Sequence, residues 1–172
     1  MSQLSIAIND TLQLSLGYAK RLLTDVTPEQ FARFASPGDQ QVVSNHAAFI
    51  YGHLSLYGPK IPAQLGLEAP AVPAKFEEVF SHETTCVDDP DGSIYPAMDE
   101  VTELFFTSYE AAGKAILATT DETWQQPNPG SGRIVELFPT LGSMQNFYVG
   151  GHMMMHMGQL SAWRRMLGLK PA

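Results

Sequence analysis

Toward the end of the chain the sequence reads Gly151-His152-Met153-Met154-Met155-His156-Met157-Gly158-Gln159. Its two histidines are four residues apart, so on an α-helix, at about 100° per residue, they leave one face a turn apart. Imidazoles placed in this way can chelate one metal ion. A third donor would occupy one face of a coordination sphere and leave positions open for water or substrate. His53, in Tyr51-Gly52-His53-Leu54, offers that donor from a separate helical segment. The His-x3-His spacing alone is met more often by histidines bonded to backbone carbonyls or to each other. The third imidazole on a second helix is what favours a metal.

Around the His152 direction, Gln145, Tyr148, Met155, His156, Gln159 and Trp163 all fall within roughly 60°. This apolar face with embedded polar groups is expected to point inward, with Gln159 and Tyr148 flanking the ion as hydrogen-bonding groups for a substrate. An unsatisfied buried polar group costs about 1–3 kcal/mol, so the imidazoles need partners, and an ion is one.

His46 competes with His53. It lies seven residues earlier, on nearly the same face but roughly 10 Å along the axis, so only one of the two fits the ion held by His152 and His156. Its place beside Ser44-Asn45, read as the helix cap, predicts an exposed side chain. His82, after a short helix and before a polar loop, is a bystander. Cys86 sits near Glu83, Asp88 and Asp89, whose charges raise a thiol pKa, and reads as incidental. Asp99, Glu100, Glu103 and Glu110 are expected on a solvated helix face, so no general base stands out. Met153, Met154 and Met155 point in three directions about 100° apart, which suits core packing better than thioether binding of Cu(I).

These residues need helices to position them. Leu4, Ile8, Leu12, Ala19, Leu22, Leu23 and Val26 share one stripe and predict a first helix from Leu4 to about Val26. Thr27-Pro28 starts a short helix to Phe34. A second long helix runs from a Ser44 or Asn45 cap to Gly58-Pro59. Residues 58–95 form a proline- and glycine-rich connection, read as a lid or crossover, with one short helix over Pro73–His82 and a turn at Asp89-Pro90-Asp91-Gly92. A third long helix extends from Pro96 to near Thr119-Thr120. A fourth runs from Gly142 to Leu167, with Arg164 and Arg165 complementing its dipole and Gly168 ending it. The pattern predicts an all-α fold, a four-helix bundle with long connecting loops and short extra helices, in a single domain over residues 1–172.

The Gly-His-Leu of the second helix, followed by His152-x3-His156-x-Gly158-Gln159-Leu160 and then Arg164-Arg165-x-x-Gly168-Leu169, resembles the DinB-like, or DinB/YfiT, metalloenzyme family. The resemblance extends over essentially the whole chain in helix order. It implies a bundle with a long connection, frequent homodimers, and a divalent ion, zinc, nickel or similar, on His53, His152 and His156. His46 then matches the Asn-His that opens this helix in relatives, where it is not a ligand. Relatives include thiol-dependent transferases and isomerases that use mycothiol or bacillithiol. A related domain supplies iron ligands in ergothioneine-forming sulfoxide synthases, but no counterpart of their second catalytic domain is present, so oxygen chemistry is not expected.

The expected chemistry is Lewis-acid activation of a thiol or water, giving S-transfer or hydrolysis on a small molecule. The alternative is a non-enzymatic, metal-binding or stress-related helical dimer. No phosphate cradle, nucleotide fingerprint or nucleophile elbow narrows the substrate.

Composition bounds the rest. With 172 residues, a formal charge of −8 and no clustered basic footprint, the chain is not expected to bind nucleic acid. No apolar run reaches the roughly 18 residues needed for a bilayer, and a lone cysteine without a signal-like start suggests the cytoplasm. Charged residues make up 16%, against roughly 25% in an average domain. The side of the fourth helix opposite the histidines, Phe147, Gly150, Met154, Met157, Gly158 and Ser161, is also small or apolar. A helix apolar on both sides must be covered twice, which predicts a homodimer through that face, with coverage by the 58–95 connection as the alternative.

Overall fold

In the computed structural model, which describes residues 2–172, the first apolar stripe becomes helix α1 (Gln3–Leu22). Ser2 caps it by accepting from the Ser5 N–H, and Ile8, Leu12, Ala19 and Leu22 are buried. Then follow α2 (Pro28–Phe31), α3 (Ala47–Ser55), α4 (Lys60–Gln64), α5 (Ala74–Phe80) and α6 (Met98–Ala118). The last third holds α7 (Asp121–Trp124), α8 (Arg133–Leu137), α9 (Leu141–Asn146), a π-helical turn (Phe147–His152) and α10 (Met153–Met166). The fold is all-α. Among the described residues there is no strand, only isolated bridges between Ala35 and Val42 and between Pro127 and Thr140. Helix α1 packs on α6 and α10, and α3 packs on the same two, closing a ring of four. No helix among the described residues is long and apolar enough to cross a membrane.

Every residue of α3 is buried. Such a helix must be covered on all sides. The outer cover is the 58–95 connection: Phe80 of α5 packs edge-on against Phe49 of α3 and stacks with Tyr95. Phe76, Phe80, Cys86 and Tyr95 all belong to the core, so this long connection between α3 and α6 is a packed wall and not an open lid. Burial also pushes the Cys86 thiol up to about 11, which leaves it unreactive near neutrality.

His46 departs from expectation. It is 0% exposed and, in place of Ser44 or Asn45, is itself the cap of α3. Its Nδ1 accepts from the Phe49 N–H at 3.2 Å and its Nε2–H donates to the Val87 carbonyl at 2.9 Å. A capping group must accept, and an imidazole does so as well as a hydroxyl when a carbonyl fixes its tautomer. Protonation would destroy the acceptor. Burial accordingly lowers the His46 pKa, against opposing pulls from the Val87 carbonyl, Asp88 and Asp89. In the unfolded chain this residue takes up a proton near pH 6.5. The stability it confers is therefore present above that pH and lost as pH falls below it. In urea unfolding between pH 7 and 5.5, His46→Asn, which keeps a cap acceptor, is expected to flatten the pH slope by up to about 1.4 kcal/mol per unit. An unchanged slope would refute this role.

The turn at 89–92 forms, and its carboxylate carries more than the turn. Asp89 accepts from the N–H groups of Ser93, Ile94 and Tyr95 at 3.0–3.2 Å. Burial raises its pKa, but these bonds outweigh it and hold the carboxyl below the usual range. Its neighbour Asp88 pairs with Arg33 and accepts the Phe34 N–H, tying the wall to the chain before α3.

The fourth long helix is not one continuous α-helix. A π-helical turn accommodates one residue more per turn than the α-helix, here at the Gly150-Gly151 pair, so a uniform 100° projection misplaces residues upstream of it. A Cβ on Gly150 would sit 2.7 Å from Thr11 Cγ2 of α1. Gly150, next to that turn, and Met157, beyond it in α10, are assigned by periodicity to an outward dimer face but are buried within the chain, while Met154 (39%) and Met155 (58%) are exposed. Arg164 likewise does more than complement a dipole. It is buried, and its guanidinium donates to the carbonyls of Leu22, Thr24 and Lys170, satisfying the open end of α1.

Candidate metal centre

Helix α3 supplies His53, and α10 with its preceding turn supplies His152 and His156. Each offers a ring nitrogen, and these three nitrogens lie within 4.8 Å of one another. The rings pack at centroid separations of 4.8 Å for His152–His156, 5.1 Å for His53–His156 and 5.8 Å for His53–His152. The three histidines therefore lie close enough to hold one metal ion.

Two of the rings are oriented from outside the cluster. His53 Nδ1–H donates to the Phe80 carbonyl at 2.9 Å, which leaves Nε2 with its lone pair free. His156 Nδ1 pairs with Gln159 Oε1 at 3.2 Å, and that oxygen also accepts from Asn45 Nδ2 at 3.3 Å. His152 differs: its Nδ1 is buried and has no hydrogen-bond partner. An orphan nitrogen costs about 1–3 kcal/mol, and a cation beside it would remove the deficit.

Electrostatics favours the same occupant. Burial lowers the pKa of His152 to about 3, with further lowering from His156 and His53. Burial also lowers His53, against the Phe80 carbonyl, and lowers His156, against Gln159. All three are neutral near pH 7, the form in which imidazole binds a metal. The donor set fits a borderline divalent ion, since imidazole suits zinc, nickel, copper and iron alike.

No family model matches the chain, and neither a curated protein nor a solved structure does. The site is therefore described by its own chemistry.

Of the remaining residues picked out in the sequence, Tyr148 lies edge-on to His152 at 5.7 Å and is half-buried, while Gln159 is exposed beside His156. Met155, placed on the histidine face by periodicity, is largely exposed. Trp163 is buried but turned away from the cluster, donating to the Arg33 carbonyl at 2.9 Å. Asp99, Glu100, Glu103 and Glu110 are exposed on α6, as expected of a solvated face.

Tyr57 has a larger part than the sequence suggests. Its ring lies 4.7 Å from His152, 5.1 Å from His53 and 5.3 Å from Tyr148, making it a wall of the site. Its spacing, four residues after His53, is the signal that could have found it. Phe147 also reaches His152, at 5.9 Å, because the π-helical turn brings residues 147 and 148 to the same ring.

Proposed function

We propose that the chain is a four-helix bundle of the DinB/YfiT type. In this reading His53, His152 and His156 hold a divalent ion, zinc, nickel or similar, for thiol-dependent transfer or hydrolysis on a small molecule. The observation that carries the reading is the buried, unpartnered His152 Nδ1 among three neutral imidazoles from two helices. When bound, the ion supplies Lewis acidity that makes a thiol or water nucleophilic near neutral pH.

The chain's own residues do the rest. The Phe80 carbonyl fixes His53, and Gln159 fixes His156, so ordering those rings is largely complete before anything binds. Burial raises the pKa of both Tyr57 and Tyr148. Both phenols therefore stay protonated and serve as hydrogen-bond donors to a substrate. Gln159 presents an exposed amide at the rim for the same purpose.

Elemental analysis of the purified protein, combined with a screen for activity with and without low-molecular-weight thiols, tests the proposal. The expected result is one divalent ion per chain and turnover that needs a thiol. Metal with thiol-independent turnover selects the hydrolytic form. A chain that stays metal-free after incubation with zinc and nickel salts refutes the metal reading. A homodimer of this type would close on the exposed edge of Met154, Met155 and Gly158, and a monomer in sedimentation at micromolar concentration would refute it.

A further inference from the structure

Beside the histidines lies a small cavity of about 60 Å³, lined by Tyr57, Lys60, Ile61, Gln64, Gln145 and Tyr148. Tyr57 and Tyr148 are shared with the metal centre, so the cavity adjoins the histidines through this pair of rings. Gln145 is 0% exposed; its Nε2 donates to Gln64 Oε1, and its own Oε1 has no partner. A buried amide carbonyl left in this way is costly, and it marks the wall as made for a polar group.

The Gln64–Gln145 pair constrains what that group is. Two side-chain amides joined by one hydrogen bond leave one carbonyl, Gln145 Oε1, and one amino group, Gln64 Nε2, with no bond to the other. Exchanging N and O in both amides leaves one of each again. An occupant that both donates and accepts would meet both groups, the buried one on Gln145 and the one on Gln64, an exposed residue that water also reaches. Lys60 adds a full positive charge, with its Nζ 4.9 Å from the Tyr57 ring centroid. Among the described residues Lys60 has no ion-pair partner, and no carboxylate lines the cavity. An anion is the accepting part that Lys60, itself exposed at the cavity, would favour. Size limits the rest, because about 60 Å³ matches the liquid volume of roughly two waters, far below the several hundred Å³ of a whole-ligand pocket.

We infer that this cavity is a subsite for the zwitterionic headgroup of an α-amino acid, its carboxylate toward Lys60 and Gln64 and its ammonium toward Gln145 Oε1. The side chain of such a ligand would run past Tyr57 and Tyr148 to the histidines, and this extension alone rests on the metal reading above. A cysteine-like thiol is the side chain that would join the two sites.

Titration calorimetry with glycine and L-alanine on chelator-treated protein tests the cavity without the metal. Binding at least tenfold tighter than acetate or methylamine is expected. Lys60→Met, a change at an exposed position, should weaken glycine at least tenfold, and Gln145→Met, close in size, should do the same. Glycine binding that is absent, no tighter than acetate, or unchanged in Lys60→Met overturns the proposal, even if the histidines bind metal. If the metal reading fails instead, glycine still binds while zinc does not. With both sites intact, zinc-loaded protein should bind L-cysteine at least tenfold more tightly than 2-mercaptoethanol, and equal binding refutes the link.

Discussion

Leucine at both His152 and His156 is expected to abolish metal binding and remove a metal-dependent rise in melting temperature of about 10 °C. A ligand present at a thousand times its Kd stabilises the folded state by about 4 kcal/mol. In a domain of this size each kcal/mol moves the midpoint by about 2–4 °C. The apoprotein should behave differently. Leucine at position 152 removes a buried nitrogen that has no partner and fills similar space, so chelator-treated variant and wild type should melt within a few degrees of each other. Differential scanning calorimetry with and without zinc reads both effects. A variant that still gains stability from zinc would place the ion elsewhere, and one that fails to fold without metal would make these histidines structural.

The second large effect is expected at Gly52, next to His53. A Cβ there would lie 2.4–2.5 Å from three atoms of the Phe80 ring. Phe80 is fully buried among Phe49, Phe76 and Tyr95, so it cannot swing aside cheaply. Overpacking of this kind costs about 1–3 kcal/mol. The same displacement moves the Phe80 carbonyl away from His53 Nδ1. Loss of such an outer-shell bond typically weakens metal affinity by about 10–100-fold. Gly52→Ala should therefore bind zinc at least tenfold more weakly while retaining helical circular dichroism. Unchanged affinity would mean that the carbonyl does not orient the ring.

The three histidines were legible in the sequence because helical spacing is local: His152 and His156 share a face by arithmetic, and His53 is flanked by the apolar residues of a second helix. Spacing alone does not bring them together, since their convergence depends on α3 and α10 meeting. The four long helices were legible from their stripes for the same reason. Other features depend on pairings distant in sequence. His46 looked like a surface residue because Val87, forty-one positions away, supplies the carbonyl that makes its burial tolerable. Helix α4 was hidden by Pro59 and Pro62, which read as breakers although a proline fits the first turn of a helix. The glycine pair at 150–151 carried no sign that the helix there would widen. That widening put Gly150 on an outward face it does not occupy, whereas Met155 and Met157, downstream of it in regular helix, fall at the edges of the faces that spacing assigns them.

Phe80 is the last residue of α5, so its carbonyl belongs to the helix end whose oxygens have no partner within the helix. It also sits at the negative pole of that helix, where aligned peptide dipoles add partial charge to the oxygen. His53 thus donates to an acceptor whose field makes the opposite ring nitrogen a stronger base. That field comes from the outer wall, while the histidine itself comes from α3. A local opening of residues 74–80 would leave all three imidazoles in place yet lower the basicity of one. Hydrogen exchange in α5 and the rate of zinc release are therefore expected to rise together as denaturant is added, well before the core of α3 begins to exchange.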